Sequence, residues 1–315
     1  IDLGSSVTKI FRADGGSGIV LAEPSAVAVD GLTGEIKAIG KDAKKLVGKT
    51  TEYTEIVSPV YEGEIRNGRL AAEMLREFLR RVNLDSAAAL RKTEVLFALP
   101  CGASEDIRSA YAALAEECRL KNAYYAEVPY LSALGSEAVL SESDPVFTID
   151  IGGGITNIAV LSAEGIIAGL SMNIGGNNMD ADIADRVEKV KYLRIGALTA
   201  ERLKNEIGSL SSQARGTSVA EGISVTQYRP AGVSVQACEI ADCISVYFDK
   251  AVEYALYVLK GLPAEVAAAV NKNGAYLSGG LARTSFAAEY LSDKLGMRVR
   301  TCPEPQYAVI TGAGA

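Results

Sequence analysis

Two aspartates, Asp2 and Asp150, sit in decapeptides that superpose without a gap: "IDLGSSVTKI" at residues 1–10 and "IDIGGGITNI" at residues 149–158. Ile1 and Ile149, Asp2 and Asp150, Gly4 and Gly152, Thr8 and Thr156, and Ile10 and Ile158 are identical pairs. In each copy an apolar strand carrying a carboxylate runs into a glycine turn. Glycine has no Cβ to hold the chain away from a ligand, so the backbone amides of such a turn can close on an anion. A single copy describes many surface hairpins. Two copies, one in each half of a 315-residue chain, describe a duplicated fold in which both halves present a glycine hairpin and an aspartate to a shared cleft.

A third glycine site is "LSGGLAR", residues 277–283. Read as a strand-GG-helix junction, it places backbone amides at a helix N-terminus, which suits a phosphate or the flat edge of a base. The alternative reading is a tight turn before a surface helix.

Composition narrows the chemistry. The chain has no histidine, which removes Ser-His and Cys-His nucleophile pairs, the usual imidazole base and most zinc sites together. What remains is carboxylates, amides, hydroxyls and a hard cation such as magnesium. The cysteines Cys101, Cys118, Cys238, Cys243 and Cys302 are odd in number with no CxxC spacing, as expected of buried free thiols in a reducing compartment. A net charge of −7 and a pI near 5.0 argue against a nucleic-acid surface. No apolar run reaches the length of about 18 residues that a membrane span needs, and no signal peptide is visible. The chain opens inside its first strand, so residues upstream of Ile1 are expected.

The elements that must position these residues alternate. With 48% hydrophobic residues the chain can fill two cores. "SGIVLAEPSAVAVD" and "GEIKAIG" read as strands, and "DAKKLVGKT" as a short polar helix or turn. "GRLAAEMLREFLRRV" puts Leu70, Met74, Leu75, Phe78, Leu79 and Val82 on one helical face. "TEVLFALP" is a buried strand, followed by a helix with Ser104 as its cap, and "YLSALGSEAVL" is a further helix. "VFTIDI", "TNIAVLS" and "GIIAGLSMNIG" are joined by turns too short for a crossover, which predicts an antiparallel meander. Helices return in "NNMDADIADRVEKVKYL" and "TAERLKNEIGSL". They precede a β-rich insert near 217–237, the helix "CISVYFDKAVEYALYVLKGL", the strand "GAYLSGG" and the helix "TSFAAEYLSDKLG".

The order of the IDLG hairpin, the EPS strand, "PVYEGEI", "LPCG", "AEVPYLSALG", "DIGGG", "IGGNNMD", "ERLKNEIG" and "LSGGLA" resembles the MreB-like bacterial actins of the actin/Hsp70/sugar-kinase superfamily, over residues 1–315. The resemblance implies an α/β, actin-like two-lobed fold with duplicated ribonuclease-H-like domains around a nucleotide cleft. Domain I would cover 1–145 with 303–315 returning to it, and domain II 146–302. Small subdomains would fall at about 22–60 and 181–240. It implies ATP or ADP with Mg2+ as cofactors, and a cytoskeletal role in cell shape through homopolymer filaments in the cytoplasm. The inner-membrane surface and membrane-anchored cell-elongation proteins would be its partners.

Carried over by position, Asp2, Gly4, Ser5 and Ser6 form the first phosphate hairpin. Gly152, Gly153, Gly154 and Thr156 form the second. Asp2 and Asp150 hold magnesium through water. Glu201 and Lys204 match ribose and base contacts, Gly279 and Gly280 an adenine loop, and Gly175 and Gly176 the turn after the second hairpin. Glu201 and Lys204 also read as an ordinary solvated i,i+3 helix pair.

The chain departs from the family at the positions that handle the attacking water. A threonine is usual where Ile155 stands and a glutamate where Val128 stands, and neither apolar group can hydrogen-bond a water. Asn157 and Asn177 replace acids, and Leu281 replaces a third glycine. The resemblance therefore predicts a slow ATPase or an ATP binder that does not hydrolyse, unless Glu127 substitutes by a local shift. An Hsp70-like chaperone or reactivation factor on the same core is the alternative, although an Hsp70 needs a further domain after Ala315. A sugar or acetate kinase would lack a base. In the family a short apolar loop on the first domain reaches the bilayer. Its match here, "NLDSAAALRKT", offers Leu84 and Leu90 beside Arg91 and Lys92, and fits a solvated loop as well.

Overall fold

The computed structural model describes residues 1–14, 18–49, 53–141, 144–211 and 213–315. Two sheets of one plan organise the chain. In the second half, five strands lie in the order Gly165–Met172, Thr156–Ser162, Val146–Ile151, Ala275–Ser278, Val299–Thr301. The first three form the antiparallel meander expected from their short turns, and the last two add in parallel. In the first half, Gly18–Pro24, Val7–Arg12 and Asp2–Leu3 repeat the meander. The parallel pair Glu94–Leu99 and Asn122–Glu127 continues it, because the Ile1 nitrogen donates to the Leu96 carbonyl at 2.6 Å and the Ala98 N–H donates to the Ile1 carbonyl at 3.0 Å. The repeated decapeptide is thus the visible part of a repeated sheet.

Every residue of Val146–Ile151 and Thr156–Ser162 is buried, as expected of strands covered on both faces. Helix Gly176–Lys191 contributes Met179, Ile183 and Val187 to that core at four-residue spacing, and helix Ala237–Lys260 contributes Ile240, Ile244, Phe248 and Ala255. The first-half core is built on helix Gly68–Arg81, which buries Leu70, Met74, Leu75, Phe78 and Leu79. Its N-terminus is capped by Asn67 Oδ1, which accepts the Leu70 N–H at 3.0 Å. Ser104 caps helix Glu105–Glu117 through the Ile107 N–H.

Smaller sheets stand beside both cores. One joins Ile36–Ile39, Val27–Asp30 and Thr54–Val57 next to helix Lys41–Lys45. The other joins Leu193–Arg194, Thr217–Ser224 and Pro230–Gln236 next to helix Ala197–Ile207. Helix Val128–Gly135 packs on the second-half sheet and the C-terminal helix Ala308–Gly312 on the first-half sheet, and the two helices pack on each other. Their backbones touch where Gly135 meets Ala308 and Gly312 meets Leu131, and a Cβ on either glycine would overlap a main-chain carbonyl. The two halves are joined through this glycine crossing.

Several sequence expectations change. After "LSGG" the chain makes a 3-10 turn, Gly280–Arg283, and the helix begins only at Ala287, behind Phe286 in the left-handed region (φ 68°). Ser285 is held extended there by its bridge to Ser209. The long helix starts at Ala237 rather than at Cys243, because Glu239 Oε2 accepts the Gln236 N–H at 2.8 Å and closes a capping box. Helices Ala264–Asn273 and Ala308–Gly312 had no counterpart in the sequence reading. All five cysteines are free, with Cys101, Cys118 and Cys302 buried and Cys238 exposed.

Candidate functional site

The first hairpin turns from Asp2–Leu3 into Val7–Arg12 through Gly4, Ser5 and Ser6. The turn is tight: a Cβ on Gly4 would lie 2.7 Å from the Val7 carbonyl oxygen. Antiparallel register sets Asp2 opposite Lys9, and the Lys9 ammonium donates to Asp2 Oδ2 at 2.7 Å with both side chains largely buried. The second hairpin is closed by the Gly152 N–H donating to the Ile155 carbonyl at 2.9 Å.

The hairpins meet tip to tip. A Cβ on Gly153 would overlap the Ser6 hydroxyl, and one on Gly154 would lie 2.6 Å from Ser5 Oγ. Ser6 Oγ donates to Asn177 Oδ1 at 2.9 Å, and Ser5 Oγ accepts the Glu62 N–H at 2.9 Å. Gly175 and Gly176 lie against the same tip, where the Gly176 and Asn177 N–H groups donate to the Gly152 and Gly153 carbonyls at 3.1 and 2.7 Å. These helix-start amides brace the hairpin. Six of the glycines and serines picked out in sequence (Ser5, Ser6, Gly153, Gly154, Gly175, Gly176) therefore converge on one place.

Asp150 lies beneath that tip and is buried. The Ser278 hydroxyl donates to its Oδ2 at 2.7 Å, and Ser278 is in turn 2.7 Å from Ser132 Oγ on helix Val128–Gly135. Burial pushes the Asp150 carboxyl up to about 6, with the neighbouring Asp2 charge adding to the rise and Ser278, Lys9 and Asn157 working against it. Two carboxylates that feel each other beside the glycine turns form a hard, oxygen-only donor set. One is buried with only hydroxyl and amide partners, so its charge is under-compensated. Such a pair is chemically suited to a hard divalent cation, and Lys9 already holds Asp2 Oδ2.

Thr156 and Asn157 are buried and fully engaged. The Thr156 hydroxyl donates to the Ile174 carbonyl at 2.9 Å, and Asn157 Oδ1 accepts the Cys101 N–H at 2.9 Å, tying the second hairpin to the first half. Lys204 does not face open space: its ammonium donates to the Gly176 carbonyl at 2.9 Å and to Asp180 Oδ2 at 2.8 Å, with both side chains largely buried. Burial holds the Asp180 carboxyl above its ordinary range despite that lysine. Glu201 lies 2.7 Å from Lys44 of helix Lys41–Lys45, an ion pair joining the two small sheets' helices.

Gly279 adopts φ 87° with its N–H on the Pro305 carbonyl at 2.9 Å, and a Cβ there would overlap the Ile151 backbone. Gly280 opens onto free space. Leu281 is buried within van der Waals reach of a Cβ placed on Gly176. Lys9, Lys44, Ser132 and Ser278 are the site residues that sequence reasoning passed over. Strand register picks out Lys9 and Ser278, and helix packing brings in Ser132 and Lys44.

Val128 is the first residue of its helix and packs with Ala98, Leu131 and Val309. Ile155 lies over Gly63 and Pro100. Glu127 is committed elsewhere: Oε1 accepts from Arg108 and Oε2 from the Gly102 N–H, each at 2.9 Å. The segment considered for membrane insertion is a helix, Ala87–Lys92, capped by Ser86, and it turns Leu90 into the first-half core, with Leu84 packed against that core. Leu90 is thus a core residue, because the helix buries its one large apolar side chain. Among the described residues, no helix is long and apolar enough to cross a membrane.

Comparison with known proteins matches the whole chain and its fold. The family model for MreB/Mbl protein covers residues 1–315. The cell shape-determining protein MreB of Escherichia coli strain K12 is 31% identical over 325 residues, covering 100% of this chain and 91% of that one. The cell shape-determining protein Mbl of Bacillus subtilis strain 168 is 28% identical over 315 residues, covering 100% and 93%. The crystal structure of MreB5 of Spiroplasma citri bound to AMPPNP superposes with a TM-score of 0.92 at 27% identity, over 99% of this chain and 92% of that one. The MamK double helical filament superposes with a TM-score of 0.78 at 17% identity over 99% and 95%, a likeness of fold.

Proposed function

This chain belongs to the MreB/Mbl protein family, and we propose on that premise that it is a nucleotide-dependent, filament-forming cell-shape protein. It binds ATP or ADP with magnesium and hydrolyses slowly or not at all. The observation that carries the reading is the tip-to-tip meeting of the two hairpins above a buried Asp150. The S. citri MreB5 structures bound to AMPPNP and to ADP support nucleotide binding.

Asp2 and Asp150 hold the magnesium through water, and the turns Gly4–Ser6 and Gly152–Gly154 cradle the phosphates. The ion offsets phosphate charge when bound. Glu201 contacts the ribose from the clasp it shares with Lys44, and the open face of Gly280 receives the base. Lys204 braces the Gly176 turn through its buried pair with Asp180. Slow turnover follows from Val128 and Ile155, which cannot orient a water, and from the engagement of Glu127 with Arg108 and the Gly102 N–H.

The chain divides at 1–145 with 303–315 and at 146–302, with small subdomains at about 22–60 and 181–240. The repeated sheet plan and the glycine crossing of Gly135 and Gly312 support that division. Subunits stack head to tail in the cytoplasm, at the inner membrane face with membrane-anchored cell-elongation proteins. Contact with the bilayer does not run through Leu90.

Calorimetry of ATP binding with and without magnesium tests the site. Affinity that depends on magnesium, and loses that dependence in Asp150→Ala, is expected. Equal affinity in both conditions overturns the assignment of Asp2 and Asp150.

A further inference from the structure

The two hairpins that repeat in sequence differ at one facing position. Across the first, antiparallel register sets Lys9 opposite Asp2, and across the second the same register sets Asn157 opposite Asp150. Lys9 and Asn157 hold the same place in their decapeptides, one after the shared threonine. The repeat therefore puts an ammonium across from one aspartate and a neutral amide across from the other.

The Lys9 ammonium donates to Asp2 Oδ2 at 2.7 Å, with only 16% and 14% of the two side chains exposed. An ion pair so far out of water is screened much less than one on the surface, so the ammonium offsets the Asp2 charge effectively. Asn157 brings no charge to Asp150, and its Oδ1 is taken by the Cys101 N–H at 2.9 Å. Asp2 and Lys9 are both felt at Asp150, with opposite sign. One lysine thus acts on both carboxylates of the cleft.

We propose that Lys9 is a resident counter-ion that weakens the hold of Asp2 and Asp150 on a divalent cation, and so sets how strongly the cleft depends on metal. The inference rests on the magnesium reading above and concerns the strength of that site. Lys9 needs no contact with the metal. Its fixed positive charge repels a divalent ion placed beside the same carboxylates, and in a largely buried site the repulsion acts at a lower effective dielectric than in water. It also occupies one oxygen of Asp2, which a metal-bound water would otherwise use.

The test titrates Mn2+ into the whole chain with ADP bound and counts the free ion by its electron paramagnetic resonance signal. Lys9→Met and Lys9→Gln remove the charge and Lys9→Arg keeps it. Lys37→Met, which removes a lysine paired with Asp30 in the small sheet, is the control. Melting curves confirm each fold. Expected is Mn2+ binding tighter by about tenfold or more in the two neutral variants, as loss of a like charge at this range predicts, with Lys9→Arg and Lys37→Met close to wild type. A damaged fold would bind more weakly, so tightening is specific to the charge. Unchanged or weaker binding in both neutral variants, or an equal gain in Lys37→Met, overturns the inference and leaves the metal site standing. Mn2+ that none of the proteins binds, or that Asp150→Ala binds as well as wild type, overturns the magnesium reading and the inference with it.

Discussion

Ser278 Oγ donates to Asp150 Oδ2 at 2.7 Å while standing 2.7 Å from Ser132 Oγ, so one hydroxyl chain links the floor of the cleft to the helix that crosses between the halves. The Asp150 carboxyl is raised from 3.8 to about 6 chiefly by burial. Its favourable contribution is therefore complete below the unfolded value and is lost as pH climbs through about 6. Above that, the ionised buried group costs on the order of 1–3 kcal/mol. Asp150→Asn should raise the melting temperature of the ligand-free protein at pH 8 and change it little near pH 4. A melting curve that shifts equally at both values would show that the carboxyl does not titrate in this way.

Lys44 and Glu201 clasp helices of the two small sheets at 2.7 Å, each about a third exposed. Solvent screening limits such a pair to about 0.2–1 kcal/mol. Lys44→Ala should therefore speed nucleotide release roughly two- to fivefold at low salt, with the difference fading at high salt. Stopped-flow release at two ionic strengths reads this directly.

On the proposed reading, Val128 and Ile155 leave the attacking water unoriented. Val128→Glu with Ile155→Thr should raise phosphate release by about tenfold or more. Because Val128 packs with Leu131 and Val309, the glutamate should also cost about 1–3 kcal/mol of stability. A double variant that melts lower yet releases phosphate at the wild-type rate removes the argument.

Gly135 and Gly312 let two helix backbones touch. Gly312→Ala should destabilise by about 1–3 kcal/mol or more through overpacking against the Leu131 carbonyl. Exposed Gly68→Ala, which meets nothing within 4 Å, should do no harm. Denaturant unfolding of the two variants separates these outcomes.

The sequence made Asp150 readable because its decapeptide occurs twice, and the meander readable because its turns are too short for a crossover. Lys9 stayed hidden, since only strand register places it on Asp2. Ser278 looked like any hydroxyl at a strand end. Leu90 stayed open between a bilayer contact and a solvated loop, because the helix capped by Ser86 that turns it inward is six residues long, too short to show a periodicity. The turn after Gly280 failed for a similar reason: the pairing of Ser285 with Ser209, remote in sequence, delays the helix to Ala287.

Sedimentation with electron microscopy in ATP and magnesium tests the central claim most directly. The account predicts pelletable filaments that persist with a non-hydrolysable analogue, because assembly needs only that the nucleotide-bound state favour its neighbour, and that diminish in Asp150→Ala. A protein that stays monomeric over a wide concentration range, with nucleotide and magnesium bound and with lipid present, would contradict it.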